Sequence, residues 1–197
     1  MRRDLQMLYV LLTITSGQTA LANPTTTKVC LSGFCVAELH STEKAVVKKL
    51  GHGIRTHHPD DIGDSRCYFD SAAGLWADFT FAGKEESSRK GELRGIMLTE
   101  QKLCDSQRTE RKVNLGRQLA GVSIGMAESE VLAFLGQPTR IDDAREREAR
   151  RPILADTRYS AKFGDSVLVY DKPDDLGFTF IFLKEGRVRT IWFSNSE

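Results

Sequence analysis

The chain has almost no charge excess: 28 lysines and arginines stand against 27 aspartates and glutamates, a formal net charge of +1. Without a basic surplus there is no electrostatic footprint for nucleic acid or for an anionic membrane surface. A long apolar run is also missing. The stretch from Leu8 to Ile14 is too short to span a bilayer, and nothing later approaches the roughly 18 apolar residues that a membrane helix needs. Cysteine is scarce and confined to the first half, at Cys30, Cys35, Cys67 and Cys104. None of these has the Cys-x-x-Cys spacing of a zinc site, and no His-Glu-x-x-His motif occurs. Histidine is equally one-sided, since His40, His52, His57 and His58 all precede residue 60.

What is present begins with a leader. MRRDLQMLYVLLTITSGQTALAN sets Arg2 and Arg3 ahead of the apolar stretch, and Ala20-Leu21-Ala22 before Asn23. That order reads as a secretory signal peptide over 1–22, cut after Ala22. Losing Arg2, Arg3 and Asp4 leaves a formally neutral mature chain, expected in the periplasm or secreted, with no membrane span. In an oxidising compartment an even cysteine count suggests two disulfides, and four cysteines allow three pairings. Ser32-Gly33 can form a two-residue hairpin turn that sets Cys30 opposite Cys35. The favoured pairing is therefore Cys30 with Cys35 and Cys67 with Cys104.

The chain contains related halves. With Leu50-Gly51 aligned to Leu135-Gly136, TEKAVVKKLG lies over AESEVLAFLG, matching Val46 to Val131 and Val47 to Leu132. These apolar positions share one side of a short helix, and each glycine sits where a helix C-terminus favours it. Thr42 can cap the first helix, whereas its counterpart Ala127 cannot. RCYFDSAAGLWADFTF (66–81) then resembles VLVYDKPDDLGFTFIF (167–182), two strands around a polar turn, and GELRGIML (91–98) resembles GRVRTIWF (186–193). The expected fold is α+β: two tandem repeats, each a short helical segment packed on a three- or four-stranded antiparallel sheet. The repeats should pack together or share a sheet edge, with domains over 23–106 and 118–197 and a linker at 107–117.

GMAESEVLAFLGQPT, followed by Phe-rich strands and the hairpin FLKEGRVRTIWF, resembles the SmpA/OmlA (BamE-like) family. The matched positions are Gly125, Met126, Val131, Leu135, Gly136 and Pro138. Two such units in tandem also look like the β-lactamase inhibitor protein (BLIP-like) architecture. The resemblance implies the fold and a disposition to bind other proteins. The lipid-modified cysteine that lipoproteins of that family carry after the signal has no counterpart here, because Asn23 follows the cleavage site and no lipobox surrounds Cys30. No lipid anchor is therefore expected.

Several stretches invite a chemical reading. GVSIG (121–125) matches the Gly-x-Ser-x-Gly nucleophile elbow, but that elbow needs a helix directly after the serine and a histidine later in the chain. No histidine follows Ser123. HGIRTHHPDDIGD (52–64) gathers His52, His57, His58, Asp60 and Asp64 in a loop, the basis of an alternative reading as a small envelope hydrolase or metal-dependent enzyme. DDAREREARRP (142–152) is a mixed-charge block in which Arg147 and Arg150 could dock a partner. Tyr68, Trp76, Tyr170 and Trp192 lie on strands and could form an aromatic protein-binding face. Exposed tryptophans would also suit a cell-wall glycan binder, a further alternative. The preferred function is a non-enzymatic exported module that binds an unidentified protein of the cell envelope, as an accessory factor or inhibitor, with no metal and no cofactor. Calorimetric titration with zinc at neutral pH tests the histidine loop: no micromolar binding is expected, and micromolar binding would favour the metal-dependent alternative.

Overall fold

A computed structural model describes residues 29–36, 41–57, 64–83, 91–104, 112–143, 162–172 and 177–195. The first half runs β1 (Cys30–Leu31), β2 (Phe34–Cys35), α1 (Glu43–Leu50), β3 (Ile54–His57), β4 (Asp64–Asp70), β5 (Leu75–Phe81) and β6 (Leu93–Thr99). The second half runs β7 (Gln118–Leu119), β8 (Val122–Ser123), α2 (Glu128–Leu135), β9 (Arg140–Asp143), β10 (Ser166–Lys172), β11 (Gly177–Lys184) and β12 (Arg187–Asn195). Eight strands form one antiparallel sheet in the order β3-β4-β5-β6-β12-β11-β10-β9, while β1-β2 and β7-β8 are separate two-stranded hairpins.

This corrects the expected α+β class of two tandem helix-on-sheet units. Among the described residues the chain is mainly β, the two helices have only eight residues each, and the large sheet is continuous. The reason lies in β6 and β12. Every residue of β6 is buried, as is the central run of β12, so neither strand can end a sheet without exposing apolar surface on both faces. They meet through Ile96 opposite Phe193, Met97 opposite Trp192 and Leu98 opposite Ile191.

Local chemistry shapes the elements on either side of this junction. Ser32-Gly33 and Ala120-Gly121 both have positive φ at two consecutive residues, the geometry of the tightest hairpins. Thr42 Oγ1 accepts the Ala45 N–H at 3.3 Å and caps α1. Ala127 has no acceptor to offer α2, and the Glu130 carboxylate instead accepts the Ala127 N–H at 2.8 Å. The helices dock on the sheet through matching backbone bonds. The Glu43 N–H donates to Gly91 O at 2.8 Å and the Glu128 N–H to Gly186 O at 2.9 Å. The Leu93 N–H reaches Ser41 O and the Val188 N–H reaches Met126 O, both at 2.9 Å.

The helices, both small hairpins and the stretch from Val113 to Leu119 share one apolar core with the sheet. Val46 and Val131 are the helical residues most deeply set in it. The opposite sheet face carries two smaller clusters, one around Trp76 and the other around Trp192. Disulfides join Cys30 to Cys35 across β1-β2 and Cys67 of β4 to Cys104 beyond β6, with Cα atoms 4.0 and 6.5 Å apart. Such bonds fit an oxidising compartment. No helix among the described residues is long and apolar enough to cross a membrane.

The two bridges close chain segments with separations of 5 and 37 residues. On loop-closure grounds the longer stabilises by about 3 to 4 kcal/mol and the shorter by about 2 kcal/mol. Urea unfolding of C67A/C104A and C30A/C35A variants should therefore show the larger loss in the first. The reverse order would mean that native packing, rather than loop closure, sets the contribution of these bridges.

Candidate functional site

The four aromatics singled out from the sequence do not share a surface. Tyr68 and Tyr170 point to the helix side. The Tyr68 hydroxyl is buried and donates to Gly51 O at 3.0 Å, while the Tyr170 hydroxyl donates to Gly136 O at 3.2 Å. Each tyrosine thus ties a strand to the glycine that ends a helix. Gly53 follows in the tight space over the Tyr68 ring, where an added Cβ would lie 2.7 Å from a ring carbon. Burial pushes the Tyr68 phenol up to about 12, and it raises the half-buried Tyr170 phenol as well.

Trp76 and Trp192 lie on the other face and are themselves buried, at 4% and 6% exposure. Trp76 sits 4.5 Å from the Phe69 ring in a cluster with Cys67 and Cys104. Trp192 stacks on Phe180 with centroids 4.7 Å apart and planes inclined by 16°. Arg147 and Arg150 fall outside the described residues, as do His40, His58 and Asp60. The stretch 52–64 is not the expected loop throughout: Ile54–His57 forms β3, with His57 opposite Asp64 at the start of β4, while His52 is exposed and Asp64 forms an ion pair with Arg55. No cluster of three or more metal-ligating side chains occurs among the described residues.

Ser123 ends β8, paired in register with Gln118. Its carbonyl accepts the Met126 N–H at 3.1 Å, and Gly125, at φ 90°, turns the chain before α2 begins at Glu128. The serine is therefore separated from the helix by a turn, and the nucleophile elbow is not formed. A shallow depression of about 380 Å³ lies beside Asp70, Lys112 and Asn114. Its buried carboxylate is already used: Asp70 accepts the N–H groups of Ala72 and Ala73 at 3.0 and 3.1 Å and that of Leu115 at 3.0 Å. This is a brace between the β4-β5 turn and the segment leading to β7.

The exposed apolar residues lie elsewhere. Among the described residues, the large hydrophobics left open are Phe134 at 58% and Ile141 at 60% exposure. Phe134 occupies the last turn of α2, and Ile141 lies on the short outermost strand β9, opposite Leu168 and hence on the helix side of the sheet. The first half offers an internal comparison. Where α2 has Phe134, α1 has Lys49, whose Nζ donates to Ser32 O at 2.6 Å and lies 5.1 Å from the Phe34 ring. Lys49 covers Gly33 at the tip of the first hairpin, and Phe134 covers Gly121 at the tip of the second. The same structural position is cationic in one half and aromatic in the other. Aligning TEKAVVKKLG with AESEVLAFLG already places Lys48-Lys49 against Ala133-Phe134, and that contrast was the available sequence signal.

No protein-family model matches the chain, and no curated protein matches it. Among solved structures it is similar to a DUF4309 family protein (YjgB) from Bacillus subtilis subsp. subtilis str. 168. That likeness has 14% identity and a TM-score of 0.45 over 84% of each chain, too low for anything to be carried across. The resemblance to the SmpA/OmlA (BamE-like) family and to the BLIP-like architecture is accordingly corrected. Its motif consists of a glycine turn, a helix with one buried valine and a glycine stop, and folding alone requires those features in this chain.

Removing the Tyr68 hydroxyl by Tyr68→Phe leaves a buried carbonyl without its donor and should cost about 1 to 3 kcal/mol. Tyr170→Phe, at a half-exposed position, should cost less. Because the folded-state value for Tyr68 lies above the usual 10, its neutral form adds stability in full below pH 10, and that contribution is lost as the pH rises to about 12. Denaturation across that range should show a shallower decline in Tyr68→Phe than in the natural chain; equal slopes would refute the assignment.

Proposed function

We propose that this chain is a non-enzymatic protein-binding module of the periplasm or the secreted fraction, and that it engages its partner through the α2–β9 corner. The observation that carries this reading is the exposure of Phe134 and Ile141 on the same side of the sheet. Covering what remains open of each side chain would contribute on the order of 1 to 2 kcal/mol apiece. The internal comparison strengthens the reading, because α1 presents lysine where α2 presents phenylalanine. A helix with a basic last turn stays solvated, whereas an apolar one next to a sheet edge favours contact with another protein.

The two disulfides support residence outside a reducing cytoplasm. The leader over 1–22 supports export. Absence of any histidine after Ser123, and the use of the Asp70 carboxylate as a backbone brace, favour binding over hydrolysis.

Site-specific incorporation of a benzophenone amino acid into the exported protein, at position 134 or at position 49, tests this directly. Adducts with another polypeptide chain are expected from position 134 and not from position 49. Equal adducts from both positions, or none from position 134, would overturn the reading.

A further inference from the structure

The outermost strand of the second half has a property that its counterpart in the first half lacks. On β3, Ile54 is partly buried against the Cys67–Cys104 cluster. On β9, Arg140, Ile141 and Asp143 are all exposed. Among the described residues β9 pairs with β10 alone, so its other side is an edge of the sheet that they form. Edge strands are ready templates for another strand unless charge or shape forbids it. Here the charges are of mixed sign, and their order decides what can add.

We infer that β9 pairs with β9 of a second copy of this chain, so that two sheets join about a two-fold axis through Ile141. The inference rests on the reading of Ile141 as part of the contact surface and names the partner. In an antiparallel pair the residues directly opposite one another lie on the same sheet face. On β9, Ile141 faces the helix side, while Arg140 and Asp142, opposite Val169 and Val167, face the other. A two-fold register must therefore centre on a single residue. Centred on Arg140 it opposes two arginines, and centred on Asp142 it opposes two aspartates. Centred on Ile141 it brings the two exposed isoleucines together and sets each Arg140 against the Asp142 of the other copy. Like charges directly opposite destabilise a ladder and unlike charges support it, so the third register is selected. Arg140 already contacts Asp142 within the chain at 2.9 Å, which holds both side chains over the face where the second pair would form. The interface is isologous and closes at two copies. Both α2 helices, on the same face as Ile141, then flank the axis on one side of the joined sheet.

Sedimentation equilibrium of the purified exported protein, from micromolar to near-millimolar concentration, should show a monomer–dimer equilibrium. Arg140→Glu places glutamate opposite aspartate and should weaken dimerisation about tenfold or more, whereas the swapped R140E/D142R chain should recover it. Ile141→Cys should yield a covalent dimer on non-reducing gels, because its thiols meet on the axis. A chain that stays monomeric throughout overturns the inference. So does a dimer indifferent to Arg140→Glu, one that the swap fails to restore, or one that Ile141→Cys fails to trap. These outcomes are separate from the crosslinking test: adducts from position 134 to a different protein, with no dimer, would leave the binding reading standing and remove only the second copy as its partner.

Discussion

Between β6 and β12 the hydroxyls of Thr99 and Thr190 face each other 2.6 Å apart, both fully buried. They sit at the end of a ladder in which Leu98 meets Ile191 and Ile96 meets Phe193 on the helix side, while Met97 meets Trp192 on the other. Polar hydroxyls tolerate this position because each satisfies the other. The contact makes one sheet from strands of two chain segments separated by about 90 residues. Everything outward of it is laid down in order, ending at β3 on one edge and β9 on the other. A central pair buried on both faces also dictates that each face be covered: helices and small hairpins do so on one, and aromatic clusters and the second disulfide on the other.

The two flanks use the same devices with different side chains. In each, a hairpin with two left-handed residues sits beside a helix that ends on glycine, and a tyrosine from the neighbouring sheet holds that glycine's carbonyl. Folding requires the glycine and the tyrosine, but it leaves the residue over the hairpin tip free to vary. Lys49 and Phe134 occupy that position. Where backbone demands are equal, a difference in surface chemistry is informative about binding, because packing does not account for it. The same reasoning separates β3 from β9. One packs its isoleucine partly against a disulfide cluster, and the other carries an open isoleucine between charges of opposite sign.

Some of this was legible from residues alone. Ser32-Gly33 specified a tight turn, Thr42 a cap, and Gly51 and Gly136 the helix ends, because each depends on backbone conformation within a few residues. The stretch 167–182 read as two strands around a polar turn, and these are β10 and β11. Less legible was the class. Short helices carry the strongest local signals and draw attention beyond their share of the chain, whereas strands buried on both faces have no amphipathic period to announce which partner they take. Residue type alone groups Tyr68 and Trp76 as one aromatic surface, whereas opposite parity in the β4–β5 register sends them to opposite faces. The exposure of Phe134 has no sign in the helix's own sequence, because an apolar residue in an apolar helix reads as core.

By itself, then, the sequence determined turns, caps and the positions of individual strands, since these follow from interactions between near neighbours. The continuous eight-stranded sheet, the faces to which the tyrosines and tryptophans turn, and the exposure of Phe134 and Ile141 were decided only by tertiary structure. Each depends on which distant strand lies alongside, and the hydrophobic effect that brings strands together is non-directional. It rewards burial of apolar surface without specifying, residue by residue, which apolar side chain will be left outside.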